Sequence, residues 1–482
     1  MGINPVVAML IGIVVMLVLI IFTKMHAFPS LIISAILIAV LATDFSAEDA
    51  SLPGTIGTVT KGFGNTMASI GVVIGFGCIM GIFLERSGAA KRMALTILKL
   101  VGVKNCDVVL GLTGFIVSIP VFCDSGFVIL SSLAKEFSRL TKKSMVWLGG
   151  ILGMGLYITH FMVPPTPGPL AVVSTFQENG FDIDLGLYII FGILISIPLF
   201  IFSVFLFRWF GKKFPNLIVP YDIDRSKYTE AQLTVLDRIK EKQDKNEDLV
   251  TEDFAELLNA ETLPSAGLSF ATLLIPIVLI FCNTIVGQIG ALKGTGFASV
   301  VQFLGQPVMA LFISILMGAF LLCKTYDKKT CISMMNDACK DAGPIVFITA
   351  AGGALGAVIN ATGAAQMMAD GIVAAGVPAI LVPIIIGVIM RFPQGSGTTA
   401  MVTGSAIVAP MVTALGLNPY IAALTLCLTT MCPSYLNDSY FHVVTNFSGM
   451  DIKTSLKTWT IGTILVPIFG SIIFAILSIF IH

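Results

Sequence analysis

Few side chains in this 482-residue chain can do chemistry, and they gather where apolar runs are interrupted. The stretch SIPVFCDSGFVIL (118–130) brings two apolar arms to a polar tip, Cys123-Asp124-Ser125-Gly126. RFPQGSGTTAMVTG (391–404) does the same with Gly395, Ser396, Gly397, Thr398 and Thr399. His160 directly precedes a proline run, VPPTPGP (163–169), that includes Thr166. Asn437 and Asp438 lie in a second interrupted segment, MCPSYLNDSYFH (431–442). Glycines let backbone approach a solute, hydroxyls donate hydrogen bonds, and half-helix N-termini attract anions. The expected chemistry is therefore solute binding, with Ser125, Gly126, His160, Thr166, Gly395, Ser396, Gly397, Thr398, Thr399 and Asn437 as candidate contacts. A carboxylate at membrane depth costs about 3 kcal/mol on insertion scales and usually marks a functional site. Asp124 and Asp438 occupy similar places in the two halves and are candidate proton carriers, with His160 third. Arg391 has two readings, a clamp for a substrate carboxylate, or a residue that pairs with an acidic side chain or stays near the outer surface. Glu85 and Arg86 read as local ion-pair partners at a helix end.

The elements that position these residues must lie in a bilayer. The chain is 56% hydrophobic and 12% charged, where soluble domains average about 25% charged. Mean hydropathy is +0.95. The net charge of +0 argues against nucleic acid, and nine singly placed cysteines suggest neither a disulfide framework nor a metal site. No cofactor is called for. The expectation is an all-α polytopic membrane protein. Spans are expected near 5–23, 27–43, 67–84, 185–207, 268–290, 298–322, 343–360 and 457–480. The first apolar run, Pro5–Phe22, has no basic flank or small-residue cleavage site and reads as a span.

Basic residues flank 118–130 on both sides: Arg86, Lys91, Arg92, Lys99 and Lys104 before it, Lys135, Arg139, Lys142 and Lys143 after it. Positive charge marks the cytoplasmic side, so this stretch is expected to enter the membrane and return. The expected hairpins cover 107–134 and 379–415, and the expected broken helices 144–176 and 418–447. Residues 214–264 are rich in Asp, Glu and Lys and read as a cytoplasmic linker.

The chain also resembles itself. GIFLERSGAAKRMA (81–94) aligns without a gap on GAVINATGAAQMMA (356–369). Both matches are followed by a polar hairpin, a broken helix and a final span. The charge rule runs span 67–84 towards the basic side and span 343–360 away from it. Two inverted repeats are therefore expected, 1–213 and 265–482, each with a re-entrant hairpin and a broken helix. Discontinuous helices meeting at the midplane are a secondary-transporter signature.

At these residues the chain resembles the gluconate permease (GntP) family, the gluconate:proton symporters of the ion transporter superfamily. The motifs are GFGNTMASIGVVIGFGCIMG (62–81) with SGAA (87–90), PVFCDSGFV (120–128), THFMVPPTPGP (159–169), GSGTTAMVTGSAIVAP (395–410), LNDSYFHVV (436–444), FSGM (447–450) and KTW (457–459). The resemblance spans nearly the whole chain outside 214–264. It implies proton-coupled uptake of a sugar acid or related small hydroxy acid across a bacterial inner membrane. It also implies a homodimer with a static scaffold and a moving, elevator-type transport unit. Thr166 stands where the family often has histidine in PPHPGP, and Tyr435–Phe441 departs from the family's second break. Both changes border the expected site and bear on which acid it takes.

Other functions are weaker on the residues. Sodium is the alternative coupling ion, because hydroxyls and carbonyls at both tips suit it. An intramembrane hydrolase with Ser396 as nucleophile needs a defined contact with His160 or His442, which no spacing provides. A passive channel does not require inverted tips. No phosphate-binding loop for ATP is present.

Overall fold

The structure is a computed structural model. It describes residues 3–43, 52–219, 230–245, 251–258, 263–289, 295–436 and 438–481. All regular structure among these is helical. In chain order the helices are α1 (Pro5–Ile21), α2 (Ala27–Ala42), α3 (Leu52–Arg86), α4 (Ala89–Val101), α5 (Cys106–Val117), α6 (Cys123–Thr141), α7 (Met145–Met162), α8 (Pro167–Glu178) and α9 (Leu185–Lys213). Then come α10 (Glu230–Asp244), α11 (Thr251–Leu258), α12 (Ala266–Gln288), α13 (Gly296–Leu304), α14 (Pro307–Met317), α15 (Lys328–Ala361) and α16 (Ala364–Ala374). The last group is α17 (Leu381–Gln394), α18 (Gly397–Val408), α19 (Val412–Leu415), α20 (Pro419–Thr429), α21 (Ser439–Phe447), α22 (Ile452–Ser455) and α23 (Ile461–Phe480). Six stretches of the described residues are long and apolar enough to cross a bilayer, or up to nine if bent pairs count as single spans.

Two long helices, α3 and α15, pair along much of their length. Their crossing needs small residues: a Cβ on Gly62 would collide with Ala357 and the Gly353 backbone, and one on Gly353 with Thr66. Close approach of this kind drives helix association where lipid is as apolar as the side chains. Both helices are longer than the spans expected at 67–84 and 343–360. The added turns are polar, and counting apolar residues passes over them. Thr58 and Thr60 donate back to carbonyls four residues earlier, keeping helix without an apolar surface. Each long helix ends at a glycine with positive φ, Gly88 at +79° and Gly363 at +70°. L-residues rarely take that conformation, so the turn requires glycine at both matched positions.

The centre of the bundle is α7. In its stretch 94% of the apolar window is buried, against 39% for α9, 33% for α12 and 28% for the α22–α23 stretch. A helix apolar all round belongs in the interior, whereas one-sided helices face lipid. At the basic end of the bundle, buried Asp107 ties three helices together. It accepts from Arg208 at 2.6 Å, Trp147 at 3.1 Å and Lys143 at 3.5 Å.

Two expectations on element limits change, and 214–264 carries two short helices. The first polar tip lies one turn earlier than expected. Residues 118–122 form the turn, and Cys123, Asp124, Ser125 and Gly126 already belong to the first turn of α6. Pro120 explains this, because it lacks an N–H and pushes the residue before it out of the helical region. The span expected at 298–322 is two helices bent by 65° before Pro307. Within 214–264, α10 packs on α11, and α11 packs on α4. Val235, Leu236 and Ile239 are buried, and Thr251 Oγ1 accepts from the Val103 N–H at 3.1 Å. Arg238 and Lys242 both reach Asp253, at 3.0 and 2.6 Å.

Candidate functional site

Four helix interruptions meet around the C-terminal end of α7. The first lies between α5 and α6, at 118–122. The second lies between α7 and α8, at 163–166, where four prolines fall within the seven residues 163–169 and Pro164–Pro165 is cis. The third, between α17 and α18, is Gly395–Ser396, and Ser396 caps α18 by accepting from the Thr399 N–H at 3.4 Å. The fourth, between α20 and α21, carries the cis Cys432–Pro433 bond and ends at Asp438, which caps α21 by accepting from the Tyr440 N–H at 3.2 Å.

Rings join the first three. Phe122, at the end of the first turn, lies 5.9 Å from the His160 ring. His160 is edge-on to Phe161 at 5.6 Å. A Cβ on Gly397 would meet the Phe161 ring, so the N-terminus of α18 sits directly on α7. A Cβ on Gly168 would meet Met401 and the Thr398 backbone, so the first turns of α8 and α18 also touch.

An ion pair joins the third interruption to the fourth. Arg391 is fully buried, and its Nη2 reaches Asp438 Oδ2 at 2.5 Å. The same nitrogen donates to the Tyr157 hydroxyl at 2.8 Å, and Nη1 donates to the Gly395 carbonyl at 2.7 Å. Asp438 also accepts from the Ser434 hydroxyl at 2.5 Å. Ser434 in turn accepts from Trp459 Nε1 at 2.8 Å. Tyr157 stacks on Tyr440 with 5.2 Å between centroids, and Trp459 stands edge-on to both. Of the two readings of Arg391, the geometry is that of an ion-pair partner. Charge-assisted hydrogen bonds of this kind are short, and here they fix the turn at Gly395 against α7.

Among the candidate residues, Asp124 accepts from Cys123 Sγ at 3.6 Å and lies near Ser439 and Asp438. Ser125 instead lies against Glu85 on α3. Ser396 is exposed, and Gly397 and Thr398 are half-buried, Gly397 against the Phe161 ring. Thr399 is turned inward and donates to Ser396 Oγ at 3.1 Å. Thr166 is buried, with its hydroxyl 2.9 Å from both the His160 and Val163 carbonyls. His160 is 5% exposed, and its Nδ1 has no hydrogen-bond partner among the described residues. Asn437 lies outside the described residues. His442 Nε2 bonds the Leu436 carbonyl at 2.8 Å, and no histidine bonds Ser396 among the described residues, so the arrangement offers no Ser–His pair. Tyr157, Ser434 and Trp459 are functional candidates that the sequence reading passed over. Ser434 follows the proline of a helix break, and that adjacency was the one available signal.

Residues 4–480 match the family model described as GntP family permease. Over 466 residues the chain is 37% identical to an uncharacterized permease of Haemophilus influenzae, covering 95% of this chain and 89% of that one. It is 25% identical over 472 residues to the high-affinity gluconate transporter of Escherichia coli, covering 97% of each. It is 26% identical over 464 residues to the D-serine transporter DsdX of Escherichia coli, covering 95% of each. Among solved structures, the YdaH transporter of Alcanivorax borkumensis superposes with a TM-score of 0.60 at 13% identity, covering 93% of this chain and 97% of that one.

Proposed function

The chain belongs to the GntP family of permeases, and from that premise we propose that it takes up a sugar acid or related small hydroxylated carboxylate by proton symport. It is a multi-pass inner-membrane permease and not an enzyme. One observation carries the substrate reading. The N-terminus of α18 leaves Ser396 exposed and Thr398 half-buried, with Gly397 packed on the Phe161 ring, while Arg391, at the end of α17, binds the turn from behind. Free N–H groups and the helix dipole make such a terminus a receptor for a carboxylate, and the hydroxyls suit the rest of a hydroxy acid. Gluconate and D-serine, named for two relatives, share that chemistry.

The proton falls to Asp124. Its carboxylate has a serine neighbour and no cation pairs with it among the described residues, whereas Asp438 is neutralised by Arg391. A group whose charge is already balanced gains little from binding a proton. We assign Asp438 to holding the site together. His160 and Thr166 support the break in the α7–α8 helix.

The transport cycle we propose is of the elevator type. Two inverted repeats, 1–213 and 265–482, each supply a re-entrant hairpin and a broken helix. The matched left-handed glycines Gly88 and Gly363 and the repeated order of interruptions support this reading. The α3–α15 pair belongs to the scaffold of a homodimer, the four interrupted elements move together, and 214–264 lies in the cytoplasm.

The test is gluconate accumulation in proteoliposomes, with pH and Na⁺ gradients imposed separately. Accumulation driven by external acid without Na⁺ is expected. Accumulation that requires Na⁺ would replace the proton with sodium, and failure of both gradients to drive any hydroxy acid would end the reading.

A further inference from the structure

The site described above leaves a second polar cavity unused. It has a volume of about 490 Å³ and lies between α3, α8 and α15, towards the ends of α3 and α15 remote from Arg86 and Lys328. That volume is within the range of small-molecule sites, about 300–1,000 Å³. Its back wall is nearly bare of side chains, because Gly62, Gly353 and Gly356 line it. Lys61 and Asn65 come from α3, Glu178 and Asn179 from the end of α8, and Asn360 from α15.

The hydrogen bonds around this cavity are unevenly used. Glu178 is saturated: Oε2 accepts from Thr66 at 2.6 Å, and Oε1 accepts from Ser174 at 3.0 Å and Ser69 at 3.2 Å. Asn179 is engaged as well, donating to the Thr175 carbonyl at 2.8 Å and accepting from Asn360 at 3.3 Å. The Lys61 ammonium and the Asn65 amide, in contrast, make no hydrogen bond or ion pair with any described residue. The cavity thus offers one cation, a free amide and the remaining capacity of Asn360. An ammonium takes a carboxylate, and amides that both donate and accept take hydroxyls.

We infer that this cavity is an outer recruiting site for a hydroxylated carboxylate, with Lys61 on the carboxylate and Asn65 and Asn360 on the hydroxyls. It rests on the transport reading for the identity of the solute, and it adds a station distinct from the α18 terminus. The α3 hydroxyls of Thr66 and Ser69 on Glu178 hold α8 against α3 and so keep the cavity's walls in place. They also spread the one negative charge that would repel an anion.

Thr58 lies at this cavity and provides the probe. Thr58→Cys protein in right-side-out vesicles is treated with a membrane-impermeant maleimide, with the wild-type chain as control. Labelling from outside is expected, slowed at least fivefold by saturating gluconate. Lys61→Gln in the same background should remove that protection. Labelling absent from outside, unslowed by gluconate, or slowed equally in the Lys61→Gln chain would overturn the inference. Uptake by the same vesicles is scored separately. Protection without uptake leaves the recruiting site standing and fails the transport reading, while uptake without protection does the reverse.

Discussion

Arg391 and Asp438 illustrate how a buried charge is made tolerable at membrane depth. Both are almost completely buried, and each has further partners besides the other: Tyr157 and the Gly395 carbonyl for the arginine, Ser434 and the Tyr440 N–H for the aspartate. Removing one member of such a pair leaves an uncompensated charge and costs about 3–5 kcal/mol. Asp438→Asn should therefore destabilise the protein by roughly 3 kcal/mol, as seen in denaturation of purified protein. The double change Asp438→Asn with Arg391→Gln should recover part of that loss. Wild-type stability in the single variant would show that the pair does not hold the turn. Asp124 has no such cation among the described residues, and its substitution should act on coupling instead. Burial disfavours the charged form of a carboxylate, which is how a group can take a proton in one state and release it in another. Asp124→Asn is expected to keep substrate exchange and to lose uphill accumulation driven by pH. If the Asn variant still concentrates substrate, the proton travels elsewhere. Arg391 was legible in the sequence as an isolated charge beside an apolar arm, but which of its two roles it plays depends on Asp438, 47 residues away.

At the scale of elements, proline and glycine decide where helices stop, and most of those stops could be read directly. The VPPTPGP run breaks the α7–α8 helix where expected, and Gly395–Ser396 separates α17 from α18 as expected. The first turn shifted because Pro120 acts one turn ahead of the polar residues that draw attention. The α13–α14 bend went unread because hydropathy continues straight through Pro307. What no local pattern contains is the contact between the α18 terminus and α7. There is no room for a side chain at Gly397, because the Phe161 ring occupies it. Gly397→Leu should abolish uptake with normal amounts of protein in the membrane. Phe161→Leu combined with Gly397→Ala should transport better than Gly397→Ala alone, since the smaller side chain clears the space. Equal uptake by those two chains would mean that the contact is incidental.

For the whole molecule, the question is whether α8 moves against α3. Glu178 and the α3 hydroxyls of Thr66 and Ser69 join the two helices, and Ser69 Oγ lies 2.8 Å from Ser174 Oγ across the contact. Cysteines at both positions fall within reach of a disulfide, whose geometry demands closely facing side chains. The Ser69→Cys, Ser174→Cys chain is expected to lose uptake on oxidation and to regain it with a reductant. Continued transport by fully cross-linked protein would rule out relative movement of α3 and α8.

Composition, charge and the spacing of prolines and glycines determined that this is a polytopic helical membrane protein, where most of its helices break, and which polar residues lie near those breaks. Those properties are local: burial in lipid is additive over about 20 residues, and a proline stops a helix from within its own turn. Only the tertiary structure decided which breaks face one another. It paired Arg391 with Asp438, turned Ser125 towards Glu85 and Thr166 towards backbone, and placed Tyr157, Ser434 and Trp459 in one network. It also placed Lys61 and Asn65 at a cavity that no other described residue fills. Contacts of this kind join residues tens to hundreds of positions apart. They depend on how α3, α7, α15 and α18 pack, and no single segment carries that information.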